Sequence, residues 1–163
     1  MSKPVPFHET LDLTLCGSMG RVHRLCREVV TVAVEPLGLT QSRWIALVHI
    51  NMLKEGVTQQ ALAHSLGIEM PSLTRTLKQL EELTLITRQV DKHDKRSKKI
   101  YFTEQGRNIL KAVEAQITDI KNQLYNGLND EQLDVMAHGL IKMEDNAKNY
   151  IKYHSSNKVN NDT

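Results

Sequence analysis

The chain has 163 residues, a length typical of one domain that buries its apolar side chains without disulfides. Charged residues make up 25% of it and the mean hydropathy is −0.40, so we expect a soluble globular protein. The net charge of +2 does not by itself indicate a nucleic-acid partner. No apolar run approaches the roughly 20 residues of a membrane span, and the N-terminus lacks a signal-peptide pattern, so we expect a cytoplasmic protein without membrane contact.

Apolar residues recur every three or four positions near both ends of the chain, which indicates long amphipathic helices. The first begins near Leu15 and ends before Pro36. Thr103 is a suitable N-cap for a fifth helix, and Asn129 with the glutamine three residues later resembles a capping box that opens a sixth. The polar tail from Ser155 is short of apolar residues, and we predict that it is disordered.

The middle of the chain has the spacing of a helix-turn-helix. Thr40 caps a second helix, Thr58 caps a third over Gln59 to Leu66, and Pro71 suits the first turn of a fourth that runs to about Thr84. A small Ala63 lies where two crossing helices come closest. Gly67, four residues later, permits the left-handed backbone of a tight turn. Five apolar side chains would hold the third and fourth helices together: Leu62, Leu66, Ile68, Leu73 and Leu77.

The fourth helix would present a polar face to a DNA major groove. The exposed candidates are Pro71, Ser72, Thr74, Arg75 and Lys78. Serine and threonine contact bases or phosphates, and arginine reads guanine through two hydrogen bonds. An ordinary helical hairpin has similar spacing, so a module that binds only other proteins remains an alternative.

A basic hairpin follows this motif. Apolar residues alternate with polar ones from Ile86 to Val90 and again up to Phe102, which is typical of two strands. The segment from Arg88 to Lys99 has a net charge of +4, with six basic and two acidic residues: Arg88, Lys92, Lys95, Arg96, Lys98 and Lys99 against Asp91 and Asp94. Such a hairpin behind a recognition helix is typical of a winged helix, whose tip reaches phosphates and the minor groove.

These segments together resemble the MarR family of winged-helix regulators, and within it the SlyA-like branch. The likeness is carried by residues 36–44, 66–77 and 80–83, and by the wing Asp94-Lys-Arg96 followed by Phe102-Thr-Glu104 and Gly106. It extends from about residue 20 to residue 150. It implies a mostly α chain with a small β-hairpin wing, which is an α+β winged helix-turn-helix. Residues 37–103 would form the DNA-binding lobe, and residues 1–36 and 104–154 would supply dimerisation helices. Residues 155–163 would be a disordered tail.

The resemblance also implies roles for single residues. Arg75 is the recognition-helix arginine, and Arg96 pairs with Asp94 to stiffen the wing. Lys95 stands where this group has its minor-groove arginine. The lysine keeps the charge but lacks the planar guanidinium fork that fits a narrow groove. The expected protein is a homodimer on a palindromic operator in double-stranded DNA, and its expected contacts are Pro71, Ser72, Thr74, Arg75, Lys78, Lys95, Arg96 and Lys98.

Members of this family often bind small aromatic carboxylates between the two lobes. The resemblance places Arg24, Thr40 and Trp44 in that pocket, with Arg24 pairing with the carboxylate and Trp44 stacking on the ring. A histidine expected near the pocket is replaced by Val48. In the other interpretation, Trp44 belongs to the core and Arg24 is a surface charge.

The remaining residue types favour neither an enzyme nor a metal protein. No nucleophile motif, phosphate-binding glycine loop or paired carboxylates occur at suitable spacing, and the seven histidines form no close helical pair. We therefore expect no enzymatic activity, no cofactor and no metal. Cys16 and Cys26 are ten residues apart in one helix, about 15 Å, too far for a disulfide. A cysteine-based redox sensor of the same fold stays an alternative.

Overall fold

The structure is a computed structural model that describes residues 5–11, 14–91 and 97–159, with side chains as far as residue 155. The predicted wing-tip residues Asp94, Lys95 and Arg96 lie outside these ranges. The chain divides into two compact units, residues 1–124 and 125–163, and each is described by itself.

The first unit contains five helices and three strands among its described residues. They are α1 (Leu15–Val34), α2 (Gln41–Leu53), β1 (Val57–Thr58), α3 (Gln59–Leu66), α4 (Met70–Glu82), β2 (Ile86–Val90), β3 (Lys98–Phe102) and α5 (Glu104–Leu124). Short 3-10 turns occupy Phe7–Glu9 and Glu35–Leu37. The second unit is built on α6 (Asp130–Val159). None of the helices in the described ranges is long and apolar enough to cross a membrane.

The strands form one antiparallel sheet in the order β1-β3-β2. Ile86 of β2 lies opposite Phe102 of β3, and Val57 of β1 lies opposite Ile100. The sequence predicted β2 and β3 but not β1, because two residues are too few to show an alternating pattern. The predicted fold class, mostly helical with a small hairpin wing, is confirmed.

The core gathers around α2, which contacts α1, α3, α4 and α5. Its side chains Leu47 and Ile50 are fully buried. The other large side chains that are fully buried come from α1, α3, α4, β3 and α5: Val34, Leu62, Leu73, Leu77, Leu80, Ile100 and Val113. One apolar core therefore holds the helix-turn-helix, the base of the wing and parts of α1 and α5 together.

The predicted caps and turns are confirmed where the sequence signal was strongest. The side chain of Thr58 accepts a hydrogen bond from the Ala61 amide, and Thr103 accepts one from Gly106. Gly67 has a φ of 62°, the left-handed turn between α3 and α4. Asn129 and Gln132 exchange side-chain and backbone hydrogen bonds at the start of α6, as in a capping box. Thr40 stands before α2, but its side chain makes no cap hydrogen bond.

The apolar stripes of the two terminal helices are not buried within the described chain. The stripe from Leu15 to Ala33 of α1 is exposed or half-buried, and the buried residues of that helix are Val30 and Val34 beside it. In α6, the predicted stripe is likewise exposed or half-buried. The helix also continues to Val159, so the predicted disordered tail from Ser155 is helical up to that point.

Gly106 generates a stability prediction, because α5 comes closest to the loop between α4 and β2 at this residue. A Cβ placed on Gly106 would lie 1.8 Å from the backbone oxygen of Leu85. We expect Gly106→Ala to lower the free energy of unfolding by at least about 1–3 kcal/mol, the usual cost of overpacking. Gly139→Ala is the control, since its Cβ would meet nothing within 4 Å. Urea unfolding measures both variants, and equal midpoints would show that the close approach is absent.

Candidate nucleic-acid interface

Helix α4 has one buried and one exposed face. Leu73, Leu77 and Leu80 are completely buried, and Thr76 is buried beside them. The five residues of α4 that the sequence assigned to DNA contact are all exposed: Pro71, Ser72, Thr74, Arg75 and Lys78. Three leucines thus fix the inner face of the helix while its first two turns present polar side chains outward.

The exposed side chains of α4 are largely uncommitted. Arg75 forms no hydrogen bond or ion pair with any other residue that the structure describes. Lys78 has one ion pair, with Glu82 at 3.8 Å, and both of these side chains are more than 60% exposed. An exposed pair of this kind contributes little to stability. Both cations are therefore available to an external anion.

The basic charge of the wing is partly used inside the molecule. Arg88 of β2 pairs with Glu81 of α4, and its side chain is only 14% exposed. Lys99 of β3 pairs with Asp91 at 2.6 Å. Lys98 is exposed. Of the charges that the sequence assigned to the wing surface, Arg88 and Lys99 are therefore held by carboxylates of the same chain.

The Glu81–Arg88 pair joins the end of α4 to the first wing strand. The hydrogen bond from Arg88 lowers the pKa of the Glu81 carboxyl, burial opposes this shift, and the charges of Arg88 and Lys98 add to it. The Nε atom of Arg88 is buried without a hydrogen-bond partner among the described residues. The arginine is thus held by one carboxylate and fixes the wing to the helix.

A cavity of about 410 Å³ lies on the other side of α4, among α1, α2, α3 and α4. Trp44 lines it, and its indole Nε1 donates a hydrogen bond to Thr31 of α1 at 3.0 Å. Arg24 and Thr40 are exposed and are not lining residues. The cations and hydrogen-bonding groups that do line it are His23, Arg27, Ser42, His49, Ser65 and Thr76.

Sequence reasoning missed Arg27, His49 and Ser65 as lining residues. His23 and Arg27 are four positions apart and so are neighbours on the surface of α1. This spacing is the one feature of the sequence that could have indicated Arg27 as a lining residue. The meeting of His49 with Ser65 depends on how α2 packs against α3, which the sequence pattern does not give.

Both cysteines belong to α1. Cys16 is an exposed free thiol, and Cys26 is half-buried and also free. No group of three histidine, cysteine or acidic side chains within the described residues is arranged to hold a metal ion.

The winged-helix lobe matches a known protein family. The sequence model described as the MarR family matches residues 37–97, which run from the turn before α2 to the wing. This segment is similar to the MarR family over the helix-turn-helix and the start of the wing.

Solved structures extend the match to most of the chain. A MarR-family transcriptional regulator from Rhodococcus sp. RHA1 is 26% identical, with a TM-score of 0.69 over 81% of this chain and 96% of the other. CouR from Rhodococcus jostii RHA1, bound to p-coumaroyl-CoA, is 25% identical, with a TM-score of 0.68 over 79% and 90%. MepR from S. aureus, in complex with DNA, is 24% identical, with a TM-score of 0.73 over 83% and 99%. The fold is therefore that of MarR-type transcriptional regulators.

The two adjacent glutamates at the end of α4 generate a prediction about stability. Glu81→Gln removes the charge that faces the half-buried Arg88, and we expect it to lower the free energy of unfolding by about 1–3 kcal/mol at pH 7. Glu82→Gln changes the neighbouring residue in an exposed pair, and we expect less than about 0.5 kcal/mol.

The pH dependence of stability tests whether this effect comes from the charge of Glu81. Because Arg88 lowers the folded-state pKa of Glu81, the stabilisation is complete above the ordinary value of 4.5 and is lost as pH falls through the folded-state value. The difference in stability between wild type and Glu81→Gln should therefore shrink below about pH 4.5. Urea unfolding from pH 3 to 7 measures it, and a difference that is constant with pH would exclude a charge effect.

Proposed function

We propose that this protein is a sequence-specific regulator of transcription that binds double-stranded DNA. The observation that carries the proposal is the exposed face of α4, where Ser72, Thr74 and Arg75 are free of contacts that would occupy them. The alanine, glycine and leucine spacing behind this face matches the helix-turn-helix pattern, in which such a helix enters the major groove. A protein of the same fold, MepR, was solved with DNA.

The wing supplies the second proposed contact. Lys98 is exposed on β3, and Lys95 and Arg96 are predicted to reach the phosphates and the minor groove from the tip. The Glu81–Arg88 pair would keep the wing at a fixed angle to the recognition helix. Asp94 is expected to hold Arg96, as the resemblance implies.

We also propose that the active form is a homodimer on a palindromic operator. Helix α1 exposes a stripe of four apolar side chains: Val22, Leu25, Val29 and Val32. Helix α6 exposes Val135, Met136, Leu140 and Ile141, and none of its residues described up to residue 155 is buried within its own chain. Apolar surface of this extent is typical of an interface between subunits. A two-fold dimer would present two recognition helices about one turn of DNA apart.

A small aromatic carboxylate is the proposed effector, and its proposed site is the cavity behind α4. Trp44 offers a flat apolar wall there. The lining includes Leu73 and Thr76, which belong to the inner face of the recognition helix. A ligand in the cavity would therefore touch α4 directly and change its position. The SlyA-like branch remains a prediction, as do Arg24 and Thr40 as ligand contacts.

Arg75 is the residue on which base reading should depend. We expect Arg75→Ala to weaken binding to the specific operator by about 1–3 kcal/mol and to reduce discrimination against scrambled DNA, because a bidentate contact to guanine is lost. Arg75→Lys keeps the charge but lacks the planar guanidinium fork. It should therefore bind scrambled DNA as well as the wild type does, but should not discriminate the operator from scrambled DNA as the wild type does. Gel-shift titrations on both duplexes measure this, and full discrimination by the alanine variant would remove Arg75 from base readout.

The dimer is tested on the apolar stripe of α1. Val29→Glu places a charge where a second subunit would cover the stripe, so sedimentation at micromolar concentration should shift from dimer to monomer. Met52→Glu is the matched control, because Met52 is also an exposed apolar residue, 60% exposed, but belongs to α2 and not to the stripe. A wild-type chain that sediments as a folded monomer would contradict the proposal.

A further inference from the structure

Glu55 joins the end of the wing to the first turns of α5. It lies in the turn between α2 and β1, and its Oε1 accepts a hydrogen bond at 2.7 Å from the backbone amide of Phe102, the last residue of β3. One guanidinium nitrogen of Arg107, in α5, donates to both oxygens of the same carboxylate, at 2.8 and 2.9 Å. A single side chain therefore binds the chain on both sides of the junction between β3 and α5.

The carboxylate of Glu55 takes the place of a backbone partner in the sheet. Val57 of β1 lies opposite Ile100 of β3. Two residues further along this antiparallel register, residue 55 stands opposite Phe102, at a point where β1 has not yet begun. The side chain accepts the Phe102 amide there. Because a carboxylate accepts several hydrogen bonds, it can bind Arg107 of α5 at the same time.

The turn that carries Glu55 has a strained backbone. Lys54 has a φ of 76° and a ψ of 149°, a conformation that a residue with a Cβ adopts only at a cost in free energy. Gly56, on the other side of Glu55, has a φ of 85° and donates its amide to the Ile100 carbonyl at 2.8 Å. Strain of this kind persists only where the surrounding contacts determine the conformation. The contacts of Glu55 and Gly56 with the wing and α5 hold the turn in this shape.

A second polar contact joins α2 to α5. Asn51, in the last turn of α2, donates from Nδ2 to Glu114 Oε1 at 2.9 Å. Arg107 and Glu114 are seven residues apart, so they lie on one face of α5, about 10 Å apart along its axis. One contact would leave α5 free to pivot, whereas two contacts separated along the helix fix its direction.

Apolar packing alone specifies this direction only loosely. Leu110 and Val113 of α5 are buried in the core, but the hydrophobic effect that holds them has no preferred direction. Packed helices can slide past one another by small shear movements, whereas hydrogen bonds require an aligned donor and acceptor. The side chains of Glu55 and Arg107 are 39% and 52% exposed, so their pair contributes little to stability. Its effect is to select one of the orientations that the apolar core permits.

We propose that Glu55, together with Asn51, is a positioning residue that fixes the angle between α5 and the winged-helix lobe from α2 to β3, and thereby sets the half-site spacing that the dimer accepts. The inference rests on the proposed homodimer on a palindromic operator. One inserted base pair moves the second half-site by about 3.4 Å and turns it by about 35° around the DNA axis. A dimer whose lobes are held at a fixed angle therefore accepts one spacing.

The angle is measured on the full-length chain without DNA. Cys16→Ser and Cys26→Ser remove the two native thiols, and Lys78→Cys on α4 with Asn122→Cys on α5 provide sites for spin labels. Subunit exchange with an excess of unlabelled chain leaves the distance within one chain, which does not depend on how two subunits are arranged. Pulsed double electron–electron resonance should give one narrow distance distribution in this background.

Three substitutions separate positioning from stability. Glu55→Gln keeps an acceptor for the Phe102 amide but loses the ion pair, Arg107→Gln removes the same ion pair from α5, and Asn51→Ala removes the second contact. Each should widen the distance distribution, and the Asn51→Ala/Glu55→Gln variant should widen it at least about twofold, because α5 can then shift on the core. The melting temperature should change little, since the contacts are exposed. Glu104→Gln is the matched control, because Glu104 is an exposed glutamate at the start of α5 outside these contacts.

The preference for operator spacing is the second measurement. The wild-type chain selects its duplex from a random library, and duplexes with one base pair added or removed at the centre are then titrated by gel shift. We expect the wild type to bind the altered duplexes at least about tenfold more weakly, and the Asn51→Ala/Glu55→Gln variant less than about threefold more weakly. A duplex with a single half-site contacts one lobe only, so the variant should bind it within about twofold of the wild type.

The two measurements fail in different ways. Distance distributions that are unchanged in all three substitutions would overturn the inference. Wider distributions with an undiminished preference for one spacing would overturn the role of Glu55 in spacing. Weaker binding of the single half-site would reveal damage to the lobe itself and would also overturn it. A wild-type chain that selects no paired half-sites would contradict the proposed dimer on a palindrome and the spacing role with it, while the distances would still decide whether Glu55 fixes the angle.

Discussion

The burial of three leucines on one side of α4 is the constraint on which the rest of the structure depends. Leu73, Leu77 and Leu80 fill the core between α2 and the sheet, and each fully buried leucine contributes about 1.5–3 kcal/mol by leaving water. Because their spacing follows the helical period, the rotation of the helix about its axis is fixed. This rotation turns the opposite face outward, with Ser72, Thr74 and Arg75 exposed to solvent. The position of the polar face is thus a consequence of packing.

The same helix is tied at its far end by a polar contact. The Glu81–Arg88 pair joins α4 to β2, and the contact of Gly106 with Leu85 joins α5 to the loop between them. Packing at the start of α4 and an ion pair at its end therefore serve different purposes. The leucines set which residues face outward, and the ion pair sets how the wing is held beside them.

Much of this architecture follows from local signals in the sequence. Thr58, Gly67 and the Asn129–Gln132 box each act within a few residues, so the pattern alone predicts the boundaries they fix. What could not be predicted depends on distant contacts. The two-residue strand β1 exists only because β3 pairs with it, and the removal of Arg88 from the wing surface depends on Glu81. In the cavity, Trp44 was identified by resemblance, whereas Arg27, His49 and Ser65 meet only through the packing of three helices.

Helix α6 has a consequence for the amount of folded protein. It runs for 30 residues, none of its side chains described up to residue 155 is buried, and its Glu144–Lys148 pair is exposed on both sides. Neither packing within the chain nor such a pair stabilises a helix of that length strongly. If a second copy covers it, the stability of the fold rises with protein concentration through mass action. The cellular copy number would then set how much of the protein is folded, and a protein present in few copies would be lost to proteolysis more readily.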